Sequence, residues 1–335
     1  MKNIVIFGGA GFIGTNLTKR LLDKDNKVLC FDNLSTSYIS NTELFKYNPN
    51  YKFVKADIVT DFKDGTICKE TDNFFGPGFP IPAKVDEIYN LACPASPLKY
   101  QIDPIHTLDT CIAVKDICWM ANFYNAKMLH ASTSEVYGDP IVHPQVETYR
   151  GNVNTIGPRS CYDEGKRVAE TYCYEWRKLG TDIKLMRIFN TYGPYMNPED
   201  GRVVSNFIMQ ALNNRDITIY GDGLQTRSFQ YIDDLLNAMD IFMNSDEAGP
   251  FNFGNPDEFT IRELVTEIKK LLPNSTSNIS FNDLPIDDPT HRKPDITKAK
   301  ETFGWEPKIN LAEGLSLTID YFKTFISNVK FYHNT

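Results

Sequence analysis

The chain has no run of lysines or arginines, and its formal net charge is −8 at pH 7. Binding nucleic acid through counterion release needs a basic face, so nucleic acid is excluded as the main partner. Long apolar runs are missing too. The opening MKNIVIFGGAGFIG has too short an apolar stretch for a signal peptide or a membrane span. It reads as a strand almost from the first residue, so no targeting segment is expected. The seven cysteines show no C-x-x-C and no paired spacing. Cys30, Cys93 and Cys161 lie beside apolar runs or motifs, as small buried side chains would. His and Cys do not cluster, which argues against a metal, and the odd cysteine count points to a reduced, cytoplasmic setting. Repeats and low-complexity tracts are absent. What remains is 335 residues of ordinary α/β composition, enough for one large domain or two modest ones.

Short apolar runs alternate with longer amphipathic stretches through the first two-thirds. NIVIF, KVLCF, YKFV, DEIYNLA, KMLHAS and DIKLMRI read as strands, most of them separated by segments with helical periodicity. That is the rhythm of βαβ units, and the fold class it predicts is α/β, a Rossmann-type doubly wound parallel sheet. Beyond Phe189 the rhythm breaks into Pro-, Gly- and Asn-rich loops with helices expected at Ile261–Leu272 and Leu311–Phe325. The expected organisation is a dinucleotide-binding domain over 1–188, a smaller interleaved α+β lobe over 189–327 that holds substrate, and a frayed tail over 328–335. Asp72–Pro82, DNFFGPGFPIP, reads as a surface loop.

Gly8, Gly11 and Gly14 follow the first strand and open a helix, and Asp32 ends the next strand. Glycines there let the backbone approach a pyrophosphate at a helix N-terminus. Asp32 can accept hydrogen bonds from ribose hydroxyls and would repel a 2′-phosphate, so NAD is favoured over NADP. Asp57, after YKFVKA, is a candidate contact to the adenine amino group. LeuAlaCysPro at 91–94 ends the fourth strand, where ligands of open α/β sheets collect.

KMLHAS runs into SerThrSerGluValTyrGly at 132–138, offering the Thr133 hydroxyl and the Glu135 carboxylate. In RSCYDEGKRVAET, Arg159 to Thr171, Tyr162 stands four residues before Lys166 with Gly165 between them. That spacing sets phenol and ammonium on one helix face, which two ordinary surface side chains would also satisfy. Glycine there costs roughly 1 kcal/mol against alanine, so a close neighbour or a ligand is expected over Gly165. A free tyrosine is only about 0.1% phenolate at neutral pH. Lowering its pKa by about three units takes roughly 4 kcal/mol, within reach of two desolvated cations, Lys166 and an oxidised nicotinamide. Such a phenolate could take an alcohol proton.

With these motifs in order, the chain resembles the extended short-chain dehydrogenase/reductase superfamily and, within it, the UDP-glucuronate decarboxylases. The resemblance covers nearly the whole chain; LACPASPLKYQIDPI, ASTSEVYGDPIVHPQ, IGPRSCYDEGKRVAET, DGRVVSNFIMQAL, YGDGLQTRSFQYIDDL and DDPTHRKPDI carry it. Related 4,6-dehydratases place an aspartate after the threonine; here that position is Ser134, which favours decarboxylation over dehydration. The resemblance implies that Tyr162, helped by Thr133, deprotonates the sugar 4-hydroxyl as hydride leaves to NAD, while Lys166 tunes the phenol and holds the nicotinamide ribose. The 4-ketone then lets the C6 carboxylate depart, and UDP-xylose results. Glu135 and Arg292 are candidates for proton transfer and carboxylate handling, with a diphosphate clamp equally open for Arg292. Phe12, Ile13, Asn33, Ile58, Leu91, Ala92 and Thr191 join the implied NAD site. Pro94, Ser96, Tyr100, Arg159, Asn190, Arg202, Tyr220 and Arg227 join the implied UDP-sugar site.

A homodimer through helices near 103–124 and 162–179 is also implied. The sequence departs from the family pattern at His106, where lysine is usual, at TyrArgGly 149–151, at AsnThrIle 154–156 and at AlaValLysAsp 113–116. The 72–82 loop is longer than the pattern leads one to expect. A dTDP-glucose 4,6-dehydratase or UDP-sugar 4-epimerase is the alternative enzyme, and a non-catalytic NAD-binding scaffold the alternative class.

Overall fold

The computed structural model describes residues 1–61, 84–287, 289 and 291–333, with side chains described to 327. The loop expected at 72–82 lies outside the described residues. Six strands fall on the six apolar runs: β1 Asn3–Phe7, β2 Lys27–Asp32, β3 Tyr51–Lys55, β4 Glu87–Asn90, β5 Lys127–Thr133 and β6 Ile183–Ile188. A seventh, Phe251–Phe253, pairs with β6, so the sheet reads Phe251–Phe253, β6, β5, β4, β1, β2, β3. Every pairing in it is parallel. Sequence periodicity missed the seventh strand because three residues are too few to show a period.

Parallel strands are covered on both faces, and successive side chains point to opposite ones. Thus Ile4, Ile6, Val28 and Cys30 join one buried cluster, with Leu17 and Leu21. Val5, Phe7, Leu29 and Phe31 join the other, with Ile117, Ala121 and Ala169. Each fully buried Leu, Ile or Phe contributes about 1.5–3 kcal/mol.

Among the described residues, six α-helices precede β6: α1 Phe12–Leu22, α2 Ile39–Glu43, α3 Pro97–Tyr100, α4 Pro104–Ile112, α5 Val114–Tyr124 and α6 Ser160–Lys178. The local signals for α4 are plain, since Pro104 occupies its first turn and Asp103 caps it, accepting the His106 N–H at 2.9 Å. A partly buried charge pair seats α6: Glu170 accepts from Arg187 of β6 at 2.7 and 2.9 Å and from Ser132 of β5 at 2.6 Å.

Beyond β6 lie small sheets, among them Ile217–Tyr220 with Ile279–Asn282, and Glu258–Thr260, Thr226–Ser228 and His291–Arg292. The expected helix at Ile261–Leu272 spans Ile261–Leu271, started by a Thr260–Glu263 capping box. The last helix runs Leu311–His333, so the tail expected to fray from residue 328 is helical through 333. The order of strand addition reverses between β1 and β4, which opens a crevice at the carboxyl ends of these strands.

Candidate active site

A cleft of about 520 Å³ occupies that crevice, and every site residue named from the sequence lines it. At its closed end Gly8 has φ +81, and a Cβ there would press on the Leu91 backbone at 2.8 Å. A Cβ on Gly14 would run into the Gly8 carbonyl. Gly11 differs: an added Cβ meets only the Gly8 oxygen at 3.4 Å and otherwise fills the cleft. No side chain caps α1 and no acid stands in its first turn, so its leading N–H groups are available to an anion.

Asp32 sits beside them, taking hydrogen bonds from Ala10 N–H at 3.0 Å, Leu34 N–H at 2.8 Å and the Ser37 hydroxyl at 2.8 Å. Burial pushes its carboxyl above the ordinary range against those bonds. Asn33 donates to Asp57 at 2.7 Å, and the His106 ring nitrogen lies 3.2 Å from the same carboxylate. His106 therefore meets Asp57, not the sugar-facing groups. Phe12, Ile13, Ile58, Leu91 and Ala92 complete this end. The open space over Gly11, the uncapped helix and the acid at the end of β2 fit a dinucleotide.

Gly11→Ala tests that fit. The backbone there, at φ −71, suits alanine and only the cleft is filled. Stability should stay within about 0.5 kcal/mol of the parent, while bound dinucleotide drops at least roughly tenfold, a loss of about 1.4 kcal/mol. Absorbance of the purified protein and a thermal melt read the two effects separately.

Tyr162 and Lys166 stand on α6 over the ends of β4 and β5. Lys166 Nζ donates to the Ala131 carbonyl at 2.9 Å and lies 5.8 Å from the Tyr162 ring centroid. Thr133 hydrogen-bonds the Tyr162 phenol. Tyr100 lies flat on the same ring, centroids 5.0 Å apart at 4°, with its own hydroxyl buried and unpartnered. Gly165 is explained by a neighbouring helix: a Cβ there would sit 3.0 Å from both Cβ and Sγ of Cys111 on α4.

The ionisation expected of the phenol rests on Lys166 and an oxidised nicotinamide together, and burial acts against it. Burial, and after it the Cys93 sulfur, hold Tyr162 well above the ordinary phenol value. The reason is that the ring has lost its water, and the Cys93 and Cys111 sulfurs and the Glu135 carboxylate around it add to that. A cationic ligand beside the ring must supply the rest.

Next to the pair is a buried charge cluster. Glu135 Oε2 accepts from Arg159 Nη2 at 2.8 Å and from Arg292 Nη2 at 3.1 Å. Burial raises its carboxyl, but the Arg292 and Arg159 guanidiniums outweigh that and hold it at about 2. Glu135 is thus held as an ionised acceptor of both guanidiniums at neutral pH. Arg292 is 1% exposed, with Nε and Nη1 unpartnered. Asp163, its Oδ1 buried without a partner, is pushed up to about 8, by burial first and by Glu135 second. Sequence reasoning missed Asp163, because its neighbour Glu135 comes from another element.

The remaining residues rim the cleft. Pro94 and Ser96 come from the turn after β4, the Ser96 hydroxyl buried and unpartnered. Asn190 and Thr191 follow β6, and Tyr220 ends its strand. Arg202 is held by Asp200 at 2.6 Å, and Arg227 donates to the Thr226 carbonyl at 2.8 Å. Two cysteine expectations are corrected. Cys93 and Cys161 are partly exposed, not buried, and Cys93 lines the cleft. Cys93 also lies 3.5 Å from Cys111, a pairing that sequence spacing hid because α4 folds back over the end of β4.

A parallel sheet in this order, with Tyr162 and Lys166 on one helix above its carboxyl edge, defines the class as an extended short-chain dehydrogenase/reductase. The family model described as GDP-mannose 4,6 dehydratase matches residues 5–318. UDP-glucuronic acid decarboxylase 1 of Xenopus tropicalis is 47% identical over 324 residues, covering 96% of this chain and 72% of that one. UDP-glucuronic acid decarboxylase 2 of Arabidopsis thaliana is 46% identical over 323 residues, covering 96% and 68%. Among solved structures, dTDP-glucose 4,6-dehydratase of Bacillus anthracis in complex with NAD superposes with a TM-score of 0.80 at 26% identity, covering 97% of each chain. The chain belongs to the UDP-glucuronic acid decarboxylase family.

Proposed function

We propose that the protein converts UDP-glucuronate to UDP-xylose and carbon dioxide with NAD bound in the cleft. The observation that carries this is Arg292. Its buried guanidinium spends one nitrogen on Glu135 and keeps two for an anion, in the same cleft as the Tyr162 base. Ser134, buried at the cleft wall, supplies no acid for expelling a hydroxyl, which disfavours dehydration.

NAD⁺, when bound over α1, supplies reversible hydride acceptance at C4 and a positive ring beside the phenol. Tyr162 takes the proton of the sugar 4-hydroxyl, with the Thr133 hydroxyl holding the phenol in line. Lys166, fixed by the Ala131 carbonyl, sets the electrostatics of that face. The C4 ketone is β to the C6 carboxylate. The C5–C6 bond therefore breaks with its electron pair passing into an enolate, C5 gains a proton, and C4 is reduced again. Arg292 orients the carboxylate or the diphosphate, and Glu135 holds Arg292 in place. Arg202, Arg227 and Tyr220 bind the UDP portion, where guanidinium forks match phosphate oxygens.

Incubation with UDP-glucuronate followed by mass analysis of the nucleotide sugar decides among reactions. Loss of carbon dioxide is expected; isomerisation or loss of water would transfer the protein to an epimerase or a dehydratase, and no change would leave a scaffold.

We also assign the protein to the cytoplasm, in keeping with six free thiols among the described residues. A homodimer is part of the proposal. Ile105 of α4, Phe123 of α5, and Val168 and Tyr174 of α6 are exposed apolar side chains on the helices that would pair. Sedimentation equilibrium measures that state.

A further inference from the structure

Cys93 and Cys111 take no part in the mechanism above, yet their sulfurs are 3.5 Å apart at its centre. Cys93 follows β4 and lines the cleft, whereas Cys111 is buried on α4. Cys111 faces the bare backbone of Gly165, the residue before Lys166, where an added Cβ would lie 3.0 Å from its sulfur. A disulfide needs about 2.05 Å between sulfurs, so a closure of roughly 1.5 Å is required. We propose that Cys93 and Cys111 form a hydroperoxide-reactive dithiol whose oxidation to a disulfide reversibly shuts the active site.

Cys93 is the attacking thiol because it is reachable from solvent. Its hydrogen-bonded contact with Cys111, ahead of the opposing burial, lowers its pKa, and the Lys166 ammonium adds to that. Its thiolate attacks one oxygen of the hydroperoxide, so that an S–O bond forms, the O–O bond breaks, and the leaving oxygen departs as water or an alcohol. Cys111 then attacks the sulfenic sulfur. An S–S bond forms, the S–O bond breaks, and the hydroxyl leaves as water with the Cys111 proton. Two thiols lose two electrons and the peroxide gains them.

The consequences for the site follow from position. A sulfenic oxygen on Cys93 enters the space beside the Tyr162 phenol. The disulfide ties the end of β4 to α4 and draws Cys111 away from Gly165, which shifts α6 and the Tyr162–Lys166 face. Cys118 and Cys173 also approach each other but are fully buried, so peroxide should spare them.

The test treats the intact holoenzyme with hydrogen peroxide and measures turnover, intact mass and cysteine-linked peptides, before and after dithiothreitol. Expected are loss of two hydrogens, a peptide linking Cys93 to Cys111, and a fall in turnover of roughly tenfold or more that dithiothreitol restores. Cys111→Ser should accumulate oxygen adducts on Cys93 instead of the link. Failure to find the Cys93–Cys111 peptide in wild-type protein, or finding it with turnover unchanged, overturns the proposal. Peptide mapping reads the link whatever the substrate proves to be, so its failure is separable from failure of the proposed reaction.

Discussion

Tyr162→Phe is expected to cut turnover by roughly 10²–10⁴-fold, the usual worth of a positioned acid–base group. The ring keeps everything else: it stays buried and stacked on Tyr100. Only the phenolic oxygen and its bond with Thr133 disappear. One neutral hydrogen bond contributes about 0.5–1.5 kcal/mol, so the variant should fold and retain NAD.

The pH dependence sharpens this. Burial holds the phenol well above its ordinary value, so the proton-accepting form is the minor one at neutral pH. The wild-type rate should therefore climb with pH through an alkaline limb that Tyr162→Phe lacks. Turnover with UDP-glucuronate across pH, with the variant's residual rate beside it, measures both. Full activity in the variant would remove Tyr162 as the base.

How much of this was legible beforehand depended on the range of the interactions. Gly8, Gly11, Gly14 and Asp32 announced the dinucleotide end because each acts within one βα turn, where spacing along the chain is spacing in space. The Tyr162–Lys166 face was readable for the same reason, one helical turn apart. What stayed hidden needed two distant segments. Nothing near Gly165 in the sequence points to Cys111, which supplies the steric reason for the glycine. Nor does sequence show how deeply the Tyr162 phenol is buried, which is what pushes its pKa up. Asp163 looked like an ordinary first-turn helix acid until Glu135 and Arg159 were folded against it.

Glu135→Gln should lose most activity and also destabilise the fold, because it leaves two buried guanidiniums facing a neutral amide. Removing one partner of a buried ion pair typically costs about 3–5 kcal/mol. Here the loss should be smaller, because Asp163 can respond. Its carboxyl is raised to about 8 by burial and by the Glu135 charge, with Arg159 and Arg292 pulling the other way. Without Glu135 the repulsion vanishes and the pull remains, so Asp163 ionises and becomes the counter-ion.

The two acids shape stability against pH with opposite signs. Glu135, depressed from 4.5 to about 2, contributes stability that is present above pH 4.5 and is lost as pH falls toward 2. Asp163, raised from 3.8 to about 8, contributes stability that is full below 3.8 and is lost as pH rises toward 8. In Glu135→Gln the alkaline loss should shrink, since Asp163 no longer resists ionising. Denaturant melts of wild type, Glu135→Gln, Asp163→Asn and the double variant at pH 7 form the cycle. The double variant should be less stable than the sum of the singles by about 0.5–3 kcal/mol, since neither acid then remains to neutralise the arginines. Strict additivity would mean that the two carboxyls do not share one charge, and Glu135 would then have to be the sole counter-ion of Arg159 and Arg292.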